Sequence, residues 1–104
     1  MSKRKKAARV KLPALVPFDA ADYLDSPETI AEFLAAALED PNPAVFIRAV
    51  EAVAKARGIA QVAKDSGLSR ESLYKALAPG AQPRYDTVRR VLASLGVKIE
   101  VAAA

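Results

Sequence analysis

Between Asp25 and Gly96, prolines and glycines cut the chain into five short lengths, and each carries apolar residues at helical spacing. Ser26 suits an N-cap, Pro27 the first helical position and Glu28 the positive end of a helix. Ile30, Phe33, Leu34, Ala37 and Leu38 then fall at i, i+3, i+4, i+7 and i+8, a single apolar stripe, before Asp40-Pro41 stops it. Asn42-Pro43 repeats the start signal, Phe46, Val50, Val53 and Ala54 form the next stripe, and Gly58 ends it. A short third helix is expected from about Ile59 to Ser66, with Val62 and Ala63 inward and Gly67 as its stop. Ser69 caps a fourth, expected to reach about Ala78 with Leu73, Ala76 and Leu77 inward, and Pro79-Gly80 closes it. After a loop to about Arg84, Val88, Val91, Leu92 and Leu95 share one face of a fifth helix that Gly96 ends. The expected class is therefore all-α with five helices.

The two ends differ from this pattern. Val97-Lys98-Ile99-Glu100-Val101 alternates apolar and charged residues, the period of a half-buried strand, so a short C-terminal β-strand is expected over 97–102. A lone strand needs a partner. A second copy of the chain is the simplest one, giving a two-fold homodimer through 97–101; otherwise the segment packs on the first helix or frays. Residues 1–17 read as a basic flexible tail, with like charges, Pro13 and Pro17, and no helical period. The remainder, 18–104, is the length of one domain.

What is missing narrows the function. There is no cysteine and no histidine among the 104 residues, which removes thiolate metal sites and the commonest general base and transition-metal ligand. No glycine loop of phosphate-cradling type is present. An enzyme is therefore not expected, nor a catalytic residue, a bound metal or a cofactor. Asp19, Asp22 and Asp25 lie close together, but three carboxylates near a helix start usually serve as caps and dipole partners. No apolar run reaches the length of a membrane span, and no uninterrupted apolar stretch follows the basic start. The expectation is a cytoplasmic protein with no membrane contact.

Charge is segregated along the chain. Residues 1–12 hold six Lys/Arg and no acid, 13–44 seven Asp/Glu and no base, and 45–104 ten Lys/Arg against five acids. The basic segments can attract phosphate backbones, whereas the acidic first-helix region, 18–40, would repel them and should meet a different partner.

The stretch from Val62 to Lys75 has the form of a helix-turn-helix, two short helices joined by three or four residues including a glycine, within 59–78. Ala63 is small where the helices cross, Gly67 permits the left-handed turn, and Leu68 and Leu73 fill the core beneath it. If the second helix enters a major groove, Arg70 can take guanine or phosphate, Lys75 either one less specifically, and Glu71 a cytosine amino group. Ser69, Ser72 and Tyr74 can donate to phosphates, and Gln61 on the preceding helix can reach phosphate or base. Each also has a plainer use. Ser69 is a cap with or without DNA, Glu71 complements the helix dipole, Tyr74 packs partly into the core, and Arg70 and Lys75 suit a solvated face.

In combination, several strings resemble the addiction-module antidote proteins, short helix-turn-helix antitoxins of the Cro/repressor type paired with RelE-like or HigB-like ribonuclease toxins. They are Phe18-Asp19-Ala20-Ala21-Asp22-Tyr23-Leu24, Ile30 to Leu34 with Ala37 to Asp40, Ala54 to Ile59, Gly67 to Leu77, Pro83 to Val88, and Val91-Leu92 through Leu95-Gly96-Val97. The similarity covers about residues 18–101. Gln82 departs from it, standing before Pro83 where asparagine is expected. So does the basic extension at 1–12, which is either an extra DNA arm, a toxin-wrapping segment or an unstructured start. The resemblance implies a repressor-like five-helix domain, a dimer on a palindromic double-stranded operator, and a toxin encoded next door. Such toxins are basic because they bind RNA, so Asp19, Asp22, Asp25, Glu28 and Glu32 are the expected partner contacts; a solvated helix face is the alternative for them, and the tail at 1–17 is the alternative toxin-binding segment. The competing function is a stand-alone transcription repressor of the same fold, which the fold cannot separate from an antitoxin.

Overall fold

The computed structural model describes residues 24–104, and these contain five helices: α1 (Pro27–Leu38), α2 (Pro43–Arg57), α3 (Ile59–Ser66), α4 (Arg70–Ala76) and α5 (Tyr85–Ser94). Each of the first two begins where a polar side chain replaces the missing backbone partners of a first turn. Ser26 Oγ accepts from the Thr29 amide at 3.2 Å, and Thr29 Oγ1 accepts in return from the Ser26 amide at 3.4 Å, a reciprocal capping box with Pro27 inside it. Asn42 Oδ1 accepts from the Ala44 amide at 3.0 Å, while Asp40 Oδ1 takes the Asn42 amide at 2.8 Å. The Asp40 and Asn42 bonds lie in the short turn between α1 and α2, which pack against each other.

α3 touches α2, α4 and α5 and so occupies the middle of the molecule. Its Val62 and Ala63 belong to one continuous core with Ile30 and Leu34 of α1, Phe46, Val50, Val53 and Ala54 of α2, Leu73 of α4 with Leu77 just past its end, and Val91 and Leu92 of α5 with Leu95. Leu24, only 2% exposed, adds an anchor ahead of α1 that the apolar periodicity does not reveal. The first-helix stripe is narrower than its spacing suggests. Ile30 and Leu34 are buried and Phe33 and Ala37 are partly buried, but Leu38 is 49% exposed at the helix end. α4 stops at Ala76, two residues short of the expected end.

The expected C-terminal β-strand does not form: there is no strand among the described residues, and those after Gly96 have no regular secondary structure. The geometry at the end of α5 shows why alternation alone was misleading. Gly96, at φ 82°, reverses the chain so that the Val97 amide donates to Leu92 O at 3.0 Å. A Cβ at position 96 would come within 3.3 Å of Pro27 Cγ, so a side chain there would press on the start of α1. Val97 then packs against the core, Ile99 is already 37% exposed and Val101 is 96% exposed. The apolar side chains leave the core one after another, and no backbone ladder is available to hold the segment as a strand. Lys98 and Glu100, on the alternate positions, pair with each other at 3.6 Å in solvent.

Residues 1–17, read as a tail, and Asp19 and Asp22 lie outside the described residues. No helix among the described residues is long and apolar enough to cross a membrane.

Candidate functional site

The joint between α3 and α4 is three residues, Gly67-Leu68-Ser69. Gly67 adopts φ 80°, and its amide and that of Leu68 both donate to Ala63 O at 3.1 Å, which closes α3 and redirects the chain. A residue with a Cβ is strained in that conformation. Ser69 then caps α4, its Oγ accepting from the Ser72 amide at 2.9 Å and donating to Ser72 Oγ at 2.9 Å. α4 is only seven residues long, too short to be helical alone. It is held by its inner side, where Leu73 is 0% exposed and Leu77 4%, against a buried Ala63 that lets the two helices approach.

That inner attachment leaves the opposite side bare. Arg70, Glu71, Ser72 and Lys75 are exposed, and Tyr74 is 49% exposed. Among the described residues, Arg70, Glu71 and Lys75 form no ion pair, so their charges face solvent uncancelled. The capping role of Ser69 is real and occupies its hydroxyl; Ser72 Oγ keeps its own proton for an outside acceptor. Gln61 is exposed on α3 and spends one amide proton on Asp65 Oδ1 at 2.9 Å, leaving its carbonyl and second proton available. The structure therefore brings Ser69, Arg70, Glu71, Ser72, Tyr74 and Lys75 together on one short helix, with Gln61 on its neighbour.

The acidic residues occupy another element. Asp25, Glu28 and Glu32 are exposed at and along α1, and none pairs with a cation among the described residues.

Two features escaped sequence reasoning. Arg90 of α5, bridged to Asp86 at 3.2 Å, reaches the turn itself: its Nη1 lies 3.8 Å from where a Cβ on Gly67 would stand. Asp86 also holds Arg89 at 3.1 Å. The i, i+3 and i, i+4 spacing of Asp86, Arg89 and Arg90 was a readable signal for the pairs, though not for the reach to the turn. The second is Arg48 of α2. Its Nη1 meets Glu51 Oε1 at 2.7 Å, its Nη2 donates to the Leu77 carbonyl just past the end of α4, and Lys55 Nζ holds the other Glu51 oxygen at 3.3 Å. The Arg48–Glu51 pairing is legible from spacing; the bond to a carbonyl 29 residues away is not.

The family model of a probable addiction module antidote protein matches residues 14–103. The chain belongs to this antidote family. A protein of Haemophilus influenzae described as uncharacterised is 38% identical over 87 residues, covering 84% of this chain and 90% of the relative. No solved structure matches. An antidote acts on a toxin, so the family implies a toxin partner.

Proposed function

We propose that this antidote is the antitoxin of a type II toxin–antitoxin pair, and that it binds operator DNA and represses its own promoter while neutralising a RelE-like or HigB-like ribonuclease toxin. The observation that carries the DNA half is the build of α3 and α4. A short helix is pinned by Leu73 and Leu77 over a small Ala63, and its polar side is exposed, its charges unpaired among the described residues. In this reading the unit is a helix-turn-helix of Cro/repressor type and α4 enters the major groove. Arg70 reads a base or clamps a phosphate, Lys75 and Ser72 hold the backbone, Glu71 and Tyr74 border the groove, and Gln61 contacts the duplex from α3.

Asp25, Glu28 and Glu32 supply the toxin half, together with Asp19 and Asp22 earlier in the sequence, by facing a basic RNA-binding surface. The chain needs no catalysis and no cofactor for either role. A palindromic operator calls for two copies, and we assign their contact to residues 97–101, where Ile99 and Val101 are uncovered. A chain cut after Gly96 should then sediment as a monomer; if it remains a dimer, the contact lies elsewhere.

The deciding experiment is binding to the DNA immediately upstream of the gene, against a shuffled duplex, across a salt series. The proposal expects a preference of at least about 10³ for the native duplex. Equal, weak binding to both that disappears as salt rises means the basic charge is non-specific, and the DNA half fails.

A further inference from the structure

α2 and α3 are capped by a glycine of positive φ, and α5 has one directly after its Leu95 cap, which lets the following chain satisfy the last carbonyls. α4 does not. Its cap is Leu77 at φ −103°, followed by Ala78 in place of a glycine, and the Ala78 amide makes only a 3.4 Å bond to Lys75 O. A carbonyl at this end of the helix has no partner within the helix. For Leu77 the partner is supplied from outside, by the guanidinium of Arg48 on α2. A cation is also the favoured charge at a helix C-terminus. The guanidinium is fixed at its other edge by Glu51, whose carboxylate is mostly covered and is itself braced by Lys55. The planar fork thus has one edge tied to α2 and one to α4, a geometry lysine cannot reproduce.

We propose that Arg48 is a positioning residue for α4: from α2 it holds the far end of that helix through Leu77 O and so sets the angle at which Arg70, Glu71 and Lys75 are presented. Leu73 and Leu77 resist withdrawal of the helix but leave it free to pivot on its apolar side. The polar tie at one end removes that freedom. The functional consequence rests on the reading of α4 as the DNA-facing helix; the mechanical one does not.

Arg48→Met keeps the bulk and removes the donors. Amide exchange in the full-length protein should rise about tenfold or more at Leu73 and Leu77, the size expected for losing a hydrogen bond from a charged donor. At Val50 and Val53 of α2 it should change by less than about threefold. The preference for the native operator over a shuffled duplex should fall about tenfold in the same variant, and Arg48→Lys should restore part of it. If Arg48→Met does not fold, Arg48→Lys and Glu51→Gln should show the same pattern at smaller size. Unchanged exchange at Leu77, an equal rise in every helix, or an operator preference that survives a loosened α4 would each overturn the proposal. If the wild type shows no operator preference at all, the DNA reading fails, and the exchange pattern still decides whether Arg48 holds α4.

Discussion

α1 and α4 are both surface helices with one buried side and one bare side, but they are attached in different ways. α1 has twelve residues, a complete capping box, and Ile30 and Leu34 seated on α2; it carries Glu28 and Glu32 and no basic residue. α4 has seven residues, a serine cap at one end, an arginine from another helix at the other, and two cations against one acid. A longer helix with its own caps tolerates loss of any single tie. A helix of two turns depends on each of its few attachments, and the same dependence makes its orientation precise. An acidic surface that meets a partner by charge needs little such precision. A surface that is to read base edges needs a great deal.

The comparison breaks most easily at Leu73. It is fully buried, so Leu73→Ala should cost about 2–5 kcal/mol of folding stability, measured by denaturant unfolding. Leu38→Ala, at the 49% exposed end of α1, should cost well under half of that. Equal losses would mean that α1 is held as tightly through its end as α4 is through its middle.

The functional difference between the helices is tested by exchanging targets. Arg70→Ala should weaken native-operator binding by about 1–3 kcal/mol, measured by titration at fixed salt, and leave toxin neutralisation intact. Lys75→Ala should weaken native and shuffled duplexes alike and lower the slope of log affinity against log salt by about 1. If instead Lys75→Ala alters sequence preference, the two side chains have exchanged roles and α4 lies in the groove at a different angle.

How much of this could be read from the chain depends on whether a signal is local. Helix starts were legible because Ser26-Pro27 and Asn42-Pro43 act within one turn, and the all-α class followed from the apolar spacing. The bare side of α4 was legible because burying Leu73 and Leu77 determines by geometry what faces out. The failures are non-local. The alternation at 97–101 was real, but a strand exists only as half of a pair, and the Gly96 turn spends the Val97 amide on Leu92 O. Leu24 lies before the first helix, where no period marks it as core. Arg48 carries no local signal for its role, because its carbonyl acceptor belongs to a residue just past the end of α4 that nothing in the sequence connects to it.

The cap of α1 should respond next. Ser26→Ala removes the acceptor for the Thr29 amide and half of the reciprocal pair, and should cost about 1 kcal/mol of stability, measured by thermal or denaturant unfolding. Operator binding should not change, since α4 shares no cap with α1.

The smallest effect is expected at the acidic side of α1. Glu28→Gln with Glu32→Gln removes two exposed charges without altering the apolar stripe. Exposed charges at the rim of a contact act mainly on encounter, so toxin association at low salt should slow by about two- to fivefold, with little change in dissociation. The difference from wild type should shrink as salt is raised, because charges this exposed are screened over about 10 Å at 0.1 M salt. Operator binding should be unchanged or slightly tighter, since two like charges are removed from a molecule that approaches phosphate. A large rise in toxin dissociation would instead place these carboxylates in a desolvated contact, where α1 would require the same positional precision as α4. The contrast between a charge-steered helix and an angle-fixed helix would then fail.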